Sequence, residues 1–287
     1  MIGAGRGQGK LILCGEHAVV YGHPAIAMAV DRGTTVRLFE RPGLTAATDA
    51  TIDDARLPRA LRAVLPDQGI GVEIRTDLPI GRGMGSSAAL AVALVRADAA
   101  RRGETLHPDR LWDLAMDIER VFHGNPSGLD HALSARGGLA RYLRPAPGAR
   151  PVLEPLPAPR WGLVVLDSGR AGDTAQMVAG VASRRPAIDG ELARIGALVD
   201  EARAVLEDTR ALGVLLDENH ARLQAIGVST PELDDLVALA RRCGAAGAKL
   251  AGAGGGGVVL AIADEPDAVL AACLKSGASA FRCAIAP

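Results

Sequence analysis

Between residues 79 and 90 the sequence reads Pro79-Ile80-Gly81-Arg82-Gly83-Met84-Gly85-Ser86-Ser87-Ala88-Ala89-Leu90. Glycine at alternate positions lets the backbone turn tightly and approach a ligand closely, and the two serines open a run that reads as helix from about Ser86 to Arg101. A helix that starts on a bare glycine loop offers unpaired amides and a partial positive charge, which suits a phosphate group. The same letters also fit a plain glycine turn with serine caps, and this stretch alone does not choose between the two.

The loop has to be embedded in a fold. Val72-Glu73-Ile74-Arg75-Thr76 alternates apolar and polar residues, which predicts a strand that delivers the chain into the loop. The helix that follows is apolar nearly all round from Ala88 to Ala100 and should be central and buried. Upstream, Leu11 to Cys14 reads as a buried strand. Ala25 to Val30 and Thr34 to Phe39 read as two further strands joined by a tight turn at Asp31-Arg32-Gly33. Residues 42 to 70 are less regular.

A second helix should begin at Pro108, with Leu111, Leu114, Ala115, Ile118 and Phe122 as its core stripe. Glu119 leans toward that stripe, so a cation is expected to meet its carboxylate. The segment His123 to Asp130 should turn, followed by a short helical run to Ala135 and a strand from Gly138 to Leu143. Prolines crowd the stretch from Pro145 to Pro159, which reads as an irregular interdomain linker and divides the chain into residues 1–155 and 156–287. The second part reads strand, helices, strand, strand, helix, strand, with strands at 162–167, 248–251, 257–263 and 280–285, the order of a ferredoxin-like split βαβ unit.

Several chemistries are excluded. The only Gly-Lys pair, Gly9-Lys10, is followed by Leu11 and has Ala4 where a Walker loop needs its first glycine. Gly252 to Gly257 matches G-x-G-x-x-G, but the residues after it read as strand where a dinucleotide site needs a helix; a glycine-rich hairpin is the open alternative. Aromatic residues make up 2% of the 287-residue chain and the formal charge is −1, which argues against a nucleic-acid partner. No apolar run reaches the ~18 residues of a membrane span. Cys14, Cys243, Cys273 and Cys283 lack metal-ligand spacing and read as reduced thiols, so a cytoplasmic location is expected.

Three segments together resemble one superfamily. Lys10-Leu-Ile-Leu-Cys-Gly-Glu-His-Ala-Val-Val-Tyr-Gly22, Pro79 to Ala89 and Lys249 to Gly257 are similar to the three motifs of the galactokinase, homoserine kinase, mevalonate kinase and phosphomevalonate kinase superfamily. Within it, Gly15 to Gly22 and the string His-Gly-Asn-Pro-Ser-Gly-Leu-Asp at 123–130 look most like the mevalonate kinases. Gly9, Met84, Ala251 and Val258 depart from the usual proline, leucine, threonine and cysteine, and none of these changes removes a charged group. The resemblance implies an α/β fold of two domains, the first ribosomal-protein-S5-like and the second ferredoxin-like. It implies ATP and a small-molecule substrate meeting between them, with Mg²⁺ as cofactor and no membrane partner. Monomer and homodimer both stay open.

The resemblance also assigns roles. Asp130 would receive the proton of the substrate hydroxyl and Lys10 would stabilise the oxygen; from the residues alone, Asp130 could equally be a helix cap and Lys10 a solvated strand end. Gly81, Arg82, Gly83, Met84, Gly85, Ser86 and Ser87, with Gly254 and Gly255, would bind ATP. Ser87 and Glu119 would hold Mg²⁺, although Glu119 could instead sit in a buried salt bridge. Glu16, His17, Tyr142 and Thr174 would face the substrate, His17 supplying a donor or cation for a carboxylate. The activity implied is phosphorylation of mevalonate at its primary alcohol. A sister kinase acting on phosphomevalonate, homoserine or a sugar, or a silent regulator on the same fold, are the alternatives.

Overall fold

The chain begins in β1 (Gly3–Cys14), which extends well upstream of the apolar run at its end. Its first half is Gly3-Ala4-Gly5-Arg6-Gly7-Gln8-Gly9, with glycine at every second position and therefore along one face. A computed structural model, which describes every residue except 42, 50, 51, 53, 67, 68, 124–127 and 145–151, accounts for this pattern. A Cβ on Gly3, Gly5 or Gly7 would lie 2.3, 2.2 or 2.0 Å from the carbonyl oxygens of Ala97, Ala93 and Ala89. These three carbonyls, four residues apart, belong to the helix after the glycine loop, so that helix lies directly on the strand backbone.

The next strand, β2 (Pro24–Glu40), corrects the expectation of two strands and a turn. It is one strand of 17 residues whose pairing with β1 shifts between Gln8 and Gly9, so that Asp31 and Arg32 are extra residues in a bulge. Polar residues that read as a turn are tolerated there because the bulge finds other partners. The Asp31 amide donates to the Ala284 carbonyl at 2.9 Å, and its carboxylate accepts from the Ala284 amide at 3.0 Å. Ala286 continues this contact, donating to the Ala29 carbonyl at 2.9 Å and accepting from the Gly138 amide at 2.7 Å.

The first sheet is completed by β3 (Thr45–Thr48), β4 (Ile70–Thr76), β5 (Leu139–Leu143) and β6 (Val152–Leu156). Its order is β3-β4-β2-β5-β6, with β1 paired to β2. The helices of this part are α1 (Leu57–Arg62), α2 (Ser86–Arg102), α3 (Pro108–His123) and α4 (Leu129–Arg136). β6 falls inside the stretch read as an irregular linker. Pro155 is accommodated because β6 is the outermost strand of this order, where an amide hydrogen is not needed on the open side. The remainder of that stretch, 145–151, and residues 124–127 of the His123–Asp130 string lie outside the described residues.

The second sheet holds β7 (Gly162–Asp167), β8 (Gly247–Ala251), β9 (Val258–Ala263) and β10 (Ser279–Cys283), all antiparallel in the order β10-β7-β9-β8. Numbered within the unit this is 4-1-3-2, the ferredoxin-like arrangement read from the sequence. The helices are α5 (Thr174–Ser183), α6 (Asp189–Ala204), α7 (Thr209–Ala225), α8 (Pro231–Arg242) and α9 (Pro266–Lys275). Asp173, Asp208 and Thr230 cap α5, α7 and α8 through their side chains, which fixes where three of these helices start. One apolar core runs through both sheets, from Leu11, Leu13 and Met28 to Val165, Leu260 and Leu216. Among the described residues no helix is long and apolar enough to cross a membrane.

The close approach of α2 to β1 gives a test. Gly7→Ala places a methyl group against helix backbone that cannot rotate away, and should destabilise the protein by about 3 kcal/mol or more in denaturant unfolding. Gly190→Ala is the control, because a Cβ at this helical position meets nothing within 4 Å. It should be neutral or stabilise by up to ~1 kcal/mol.

Candidate active site

The glycine loop departs from β4 and enters α2 with Gly81, Gly83 and Gly85 at φ of 70°, 81° and 71°. Side chains are disfavoured in this left-handed region, and at Gly85 one would also strike Lys10, whose Cγ lies 2.9 Å from the added Cβ. Met84 between them is wholly buried and accepts a 2.9 Å hydrogen bond from the Lys10 amide through its carbonyl. The loop is thus pinned to β1 at Lys10.

The N-cap of α2 is Gly85, with no side-chain cap. The capping alternative for Ser86 and Ser87 is therefore not realised. The first intrahelical bond runs from the Ala89 amide to the Gly85 carbonyl at 2.9 Å, so the amides before it belong to the helix end that lacks intrahelical partners. Arg82 stands beside them, 3.6 Å from Asp167. Its Nη1 is buried without a partner among the described residues. Unpaired amides and a half-paired guanidinium make this a place for a polyanion.

Lys10 is 5% exposed, and its ammonium lies 3.4 Å from the Asp130 carboxylate and 3.3 Å from the Gly83 carbonyl. It is not a solvated strand end. Asp130 is not the cap either, because Gly128 is the N-cap of α4 and, among the described residues, no side-chain cap is formed. The α4 N-terminus instead presents Asp130, a third exposed, to Lys10.

Glu119 is 2% exposed on α3, and the cation expected to neutralise it does not appear among the ion pairs of the described residues. Its Oε1 has no hydrogen-bond partner among the described residues. Burial, reinforced by the nearby Asp130 charge and only partly offset by the Ser87 hydroxyl and Lys10, pushes the Glu119 carboxyl up to about 8. An orphaned carboxylate oxygen beside a serine hydroxyl is a hard-oxygen pair, which fits Mg²⁺. Ser87 Oγ is also 2.9 Å from His123 Nε2. His123 was given no role from the sequence, although its spacing of four residues from Glu119 puts both on one face of α3. Beside the loop opens a cavity of ≈ 180 Å³, lined by Ile52, Arg56, Ile80, Ser87, Leu90 and His123.

The second glycine loop, 252–257, is the hairpin between β8 and β9. It meets the first one through bare backbone: a Cβ on Gly83 would lie 3.0 Å from the Ala251 carbonyl. Gly254 packs on Val228, and the Gly255 amide is engaged by the Val228 carbonyl at 2.8 Å. Thr174 is the exposed first residue of α5, next to a loop that reaches the first glycine loop through a 3.2 Å bond from the Gly172 amide to Gly81.

Three positions expected at the substrate are enclosed. Glu16 is 1% exposed, with one carboxylate oxygen on Lys249 and the other accepting from Asn219 at 3.2 Å. Tyr142 is wholly buried in β5, and burial raises its hydroxyl to about 12. His17 is 6% exposed and its Nε2 meets the Ala253 carbonyl at 2.8 Å, while burial lowers its pKa and favours the neutral ring. In this structure the His17 ring is directed at a backbone carbonyl.

The sequence matches the family described as GHMP kinases N terminal domain over residues 54–138, and the one described as GHMP kinases C terminal over residues 197–279. It is 36% identical to the mevalonate kinase of Thermococcus sibiricus over 93% of this chain and 90% of that protein. Identity to the mevalonate kinase of Methanothermobacter thermautotrophicus is also 36%, over 88% of this chain and 87% of that protein. The fold is similar to the crystal structure of L. major mevalonate kinase in complex with R-mevalonate, with a TM-score of 0.85 and 28% identity, covering 99% of this chain and 96% of that one.

The raised pKa of Glu119 gives a pH test on the ligand-free protein. The folded state holds this proton up to about 8 while the unfolded state releases it near 4.5, so the folded state binds more protons between them and loses stability as pH rises through that window. Glu119→Gln removes the titration. Its melting temperature should exceed that of the parent at pH 8 and converge with it at pH 4.5, as measured by thermal unfolding without Mg²⁺.

Proposed function

Because the chain belongs to the GHMP kinases and, within them, to the mevalonate kinases, we propose that it uses ATP to phosphorylate the primary alcohol of mevalonate, giving 5-phosphomevalonate in isoprenoid biosynthesis. The observation that carries the reading is the pairing of Lys10 with Asp130 at 3.4 Å beside the uncapped start of α2. Phosphoryl transfer needs a held phosphate, a hydroxyl ready to lose its proton and charge compensation; each has a candidate group here.

The amides of residues 83–87 and the Arg82 guanidinium bind the phosphates of ATP, with loop 252–257 closing from the other side. The acceptor oxygen forms a bond to the γ-phosphorus as the bond to the β,γ-bridging oxygen breaks, ADP leaves, and the hydroxyl proton passes to an Asp130 carboxylate oxygen. Lys10, paired with Asp130, stabilises the negative charge that develops on the acceptor oxygen as its proton leaves. Ser87 and Glu119 would hold Mg²⁺, which when bound neutralises phosphate charge. Gly254 and Gly255 shape the closing loop through their conformations, since the Gly255 amide is already engaged. Thr174 is the expected residue best exposed for substrate contact, and Glu16 and Tyr142 support the site from within. The nucleotide-binding part is taken as residues 1–155 and the ferredoxin-like part as 156–287. The free thiols fit a cytoplasmic enzyme.

An ADP-release assay across mevalonate, phosphomevalonate, homoserine and galactose should give turnover with mevalonate well above the others. Equal or faster turnover with any other acceptor would overturn the substrate assignment. Asp130→Asn keeps the shape of the side chain but cannot take a proton, so turnover should fall at least about a hundredfold while calorimetry still detects nucleotide binding. Near-normal turnover in this variant would remove Asp130 from the chemistry.

A further inference from the structure

β8 is Gly247-Ala248-Lys249-Leu250-Ala251, and all five residues are buried. Lys249 is 0% exposed in the middle of it. An ammonium in that setting is costly unless it is paired and its hydrogens are used. Both conditions are met. Its Nζ pairs with the Glu16 carboxylate and donates to the carbonyls of Leu250 at 2.7 Å and Ile12 at 3.4 Å. The other Glu16 oxygen takes the Asn219 amide, and the Asn219 oxygen accepts from the Cys14 thiol at 3.5 Å.

The place of this cluster matters more than its completeness. Ile12 lies two residues beyond Lys10 on β1, and Leu250 lies two residues before Gly252 on β8. One buried ammonium therefore ties the strand that carries the reacting lysine to the strand that delivers the second glycine loop. A second tie lies beside it, from His17 to the Ala253 carbonyl, and it requires His17 to hold a φ of 60°, unusual for a residue with a side chain. These ties fix where Ala251 and Gly252 stand against Gly83.

We infer that Lys249 is a positioning residue for phosphoryl transfer: paired with Glu16, it sets the separation of the two glycine loops and thereby the fit of the site to the nucleotide phosphates. The inference rests on the kinase reading above. A buried ion pair contributes little net stability compared with well-packed apolar residues, whereas its directional bonds admit only one arrangement of the groups around it. Stability and positioning can therefore be separated.

The experiment uses the full-length enzyme carrying Lys249→Met alone and together with Glu16→Gln. Nucleotide affinity is measured by calorimetry with a non-hydrolysable ATP analogue and Mg²⁺, alongside kcat, KM for mevalonate and melting temperature. Lys249→Met leaves a buried carboxylate unpaired and should melt lower, whereas the double variant, with no uncompensated charge, should recover most of the melting temperature. In both, the dissociation constant for the analogue should rise at least about tenfold and kcat should fall, with a much smaller change in KM for mevalonate. If the single variant does not fold, the double variant carries the test. Parental nucleotide affinity and kcat in the double variant would make the pair a structural element only and overturn the inference. Wild-type enzyme that binds the analogue but does not turn over mevalonate would overturn the proposed function and leave this inference standing, since the titration needs no acceptor.

Discussion

The contact of α2 with β1 through bare backbone is the constraint from which the site follows. Gly3, Gly5 and Gly7 remove three side chains from one face of β1, and the carbonyls of Ala97, Ala93 and Ala89 occupy that space. A helix held this close to a strand has its axial position fixed to within a fraction of a residue, because each carbonyl needs its own glycine. Its N-terminus is thereby placed beside Lys10, which follows the last glycine of the row. The uncapped start of α2 and the lysine are parts of one rigid strand–helix pair.

Charge in the site is distributed unevenly. Lys10 and Asp130 pair with each other, whereas Glu119 is buried, raised to about 8 and, among the described residues, short of a partner at Oε1. A protein without function would gain stability by replacing such a carboxylate with an apolar residue. Its presence beside Ser87 and His123 is understandable if a cation arrives with the nucleotide and supplies the charge the chain withholds. On that reading the cost would be carried by the ligand-free state and relieved on binding.

Much of this was legible in the sequence where one local rule dominates. The glycine loop, the apolar helix after it, the Pro108 helix start and the strand–helix order of the second half all follow from turn chemistry and periodicity. The bulge at Asp31-Arg32 was not legible, because Asp31 is satisfied by Ala284 and Arg32 by the Asp77 carbonyl and the Phe281 ring, all distant in the chain. The start of β1 was missed because alternating glycine carries no hydrophobic signal, although its period of two is that of a strand. β6 was hidden by Pro155, whose tolerance depends on its lying at a sheet edge. In the site, Glu119 was legible as buried but its missing counter-ion was not. Glu16 was legible as polar and near Lys10, but its engagement with Lys249 depends on a strand more than two hundred residues away.

The contact of residues 284–286 with Ala29, Asp31 and Gly138 bears on how the molecule is made. Asp31 and Ala284 are 253 positions apart, yet each satisfies the other's backbone. At a synthesis rate of about 5–20 residues per second, the bulge in β2 waits on the order of tens of seconds for its partner. Until residues 284–286 have been made, the Asp31 amide and the Ala29 carbonyl lack these partners. The first sheet is therefore not self-contained: detaching residues 284–286 would leave the Asp31 amide, the Ala29 carbonyl and the Gly138 amide without these partners.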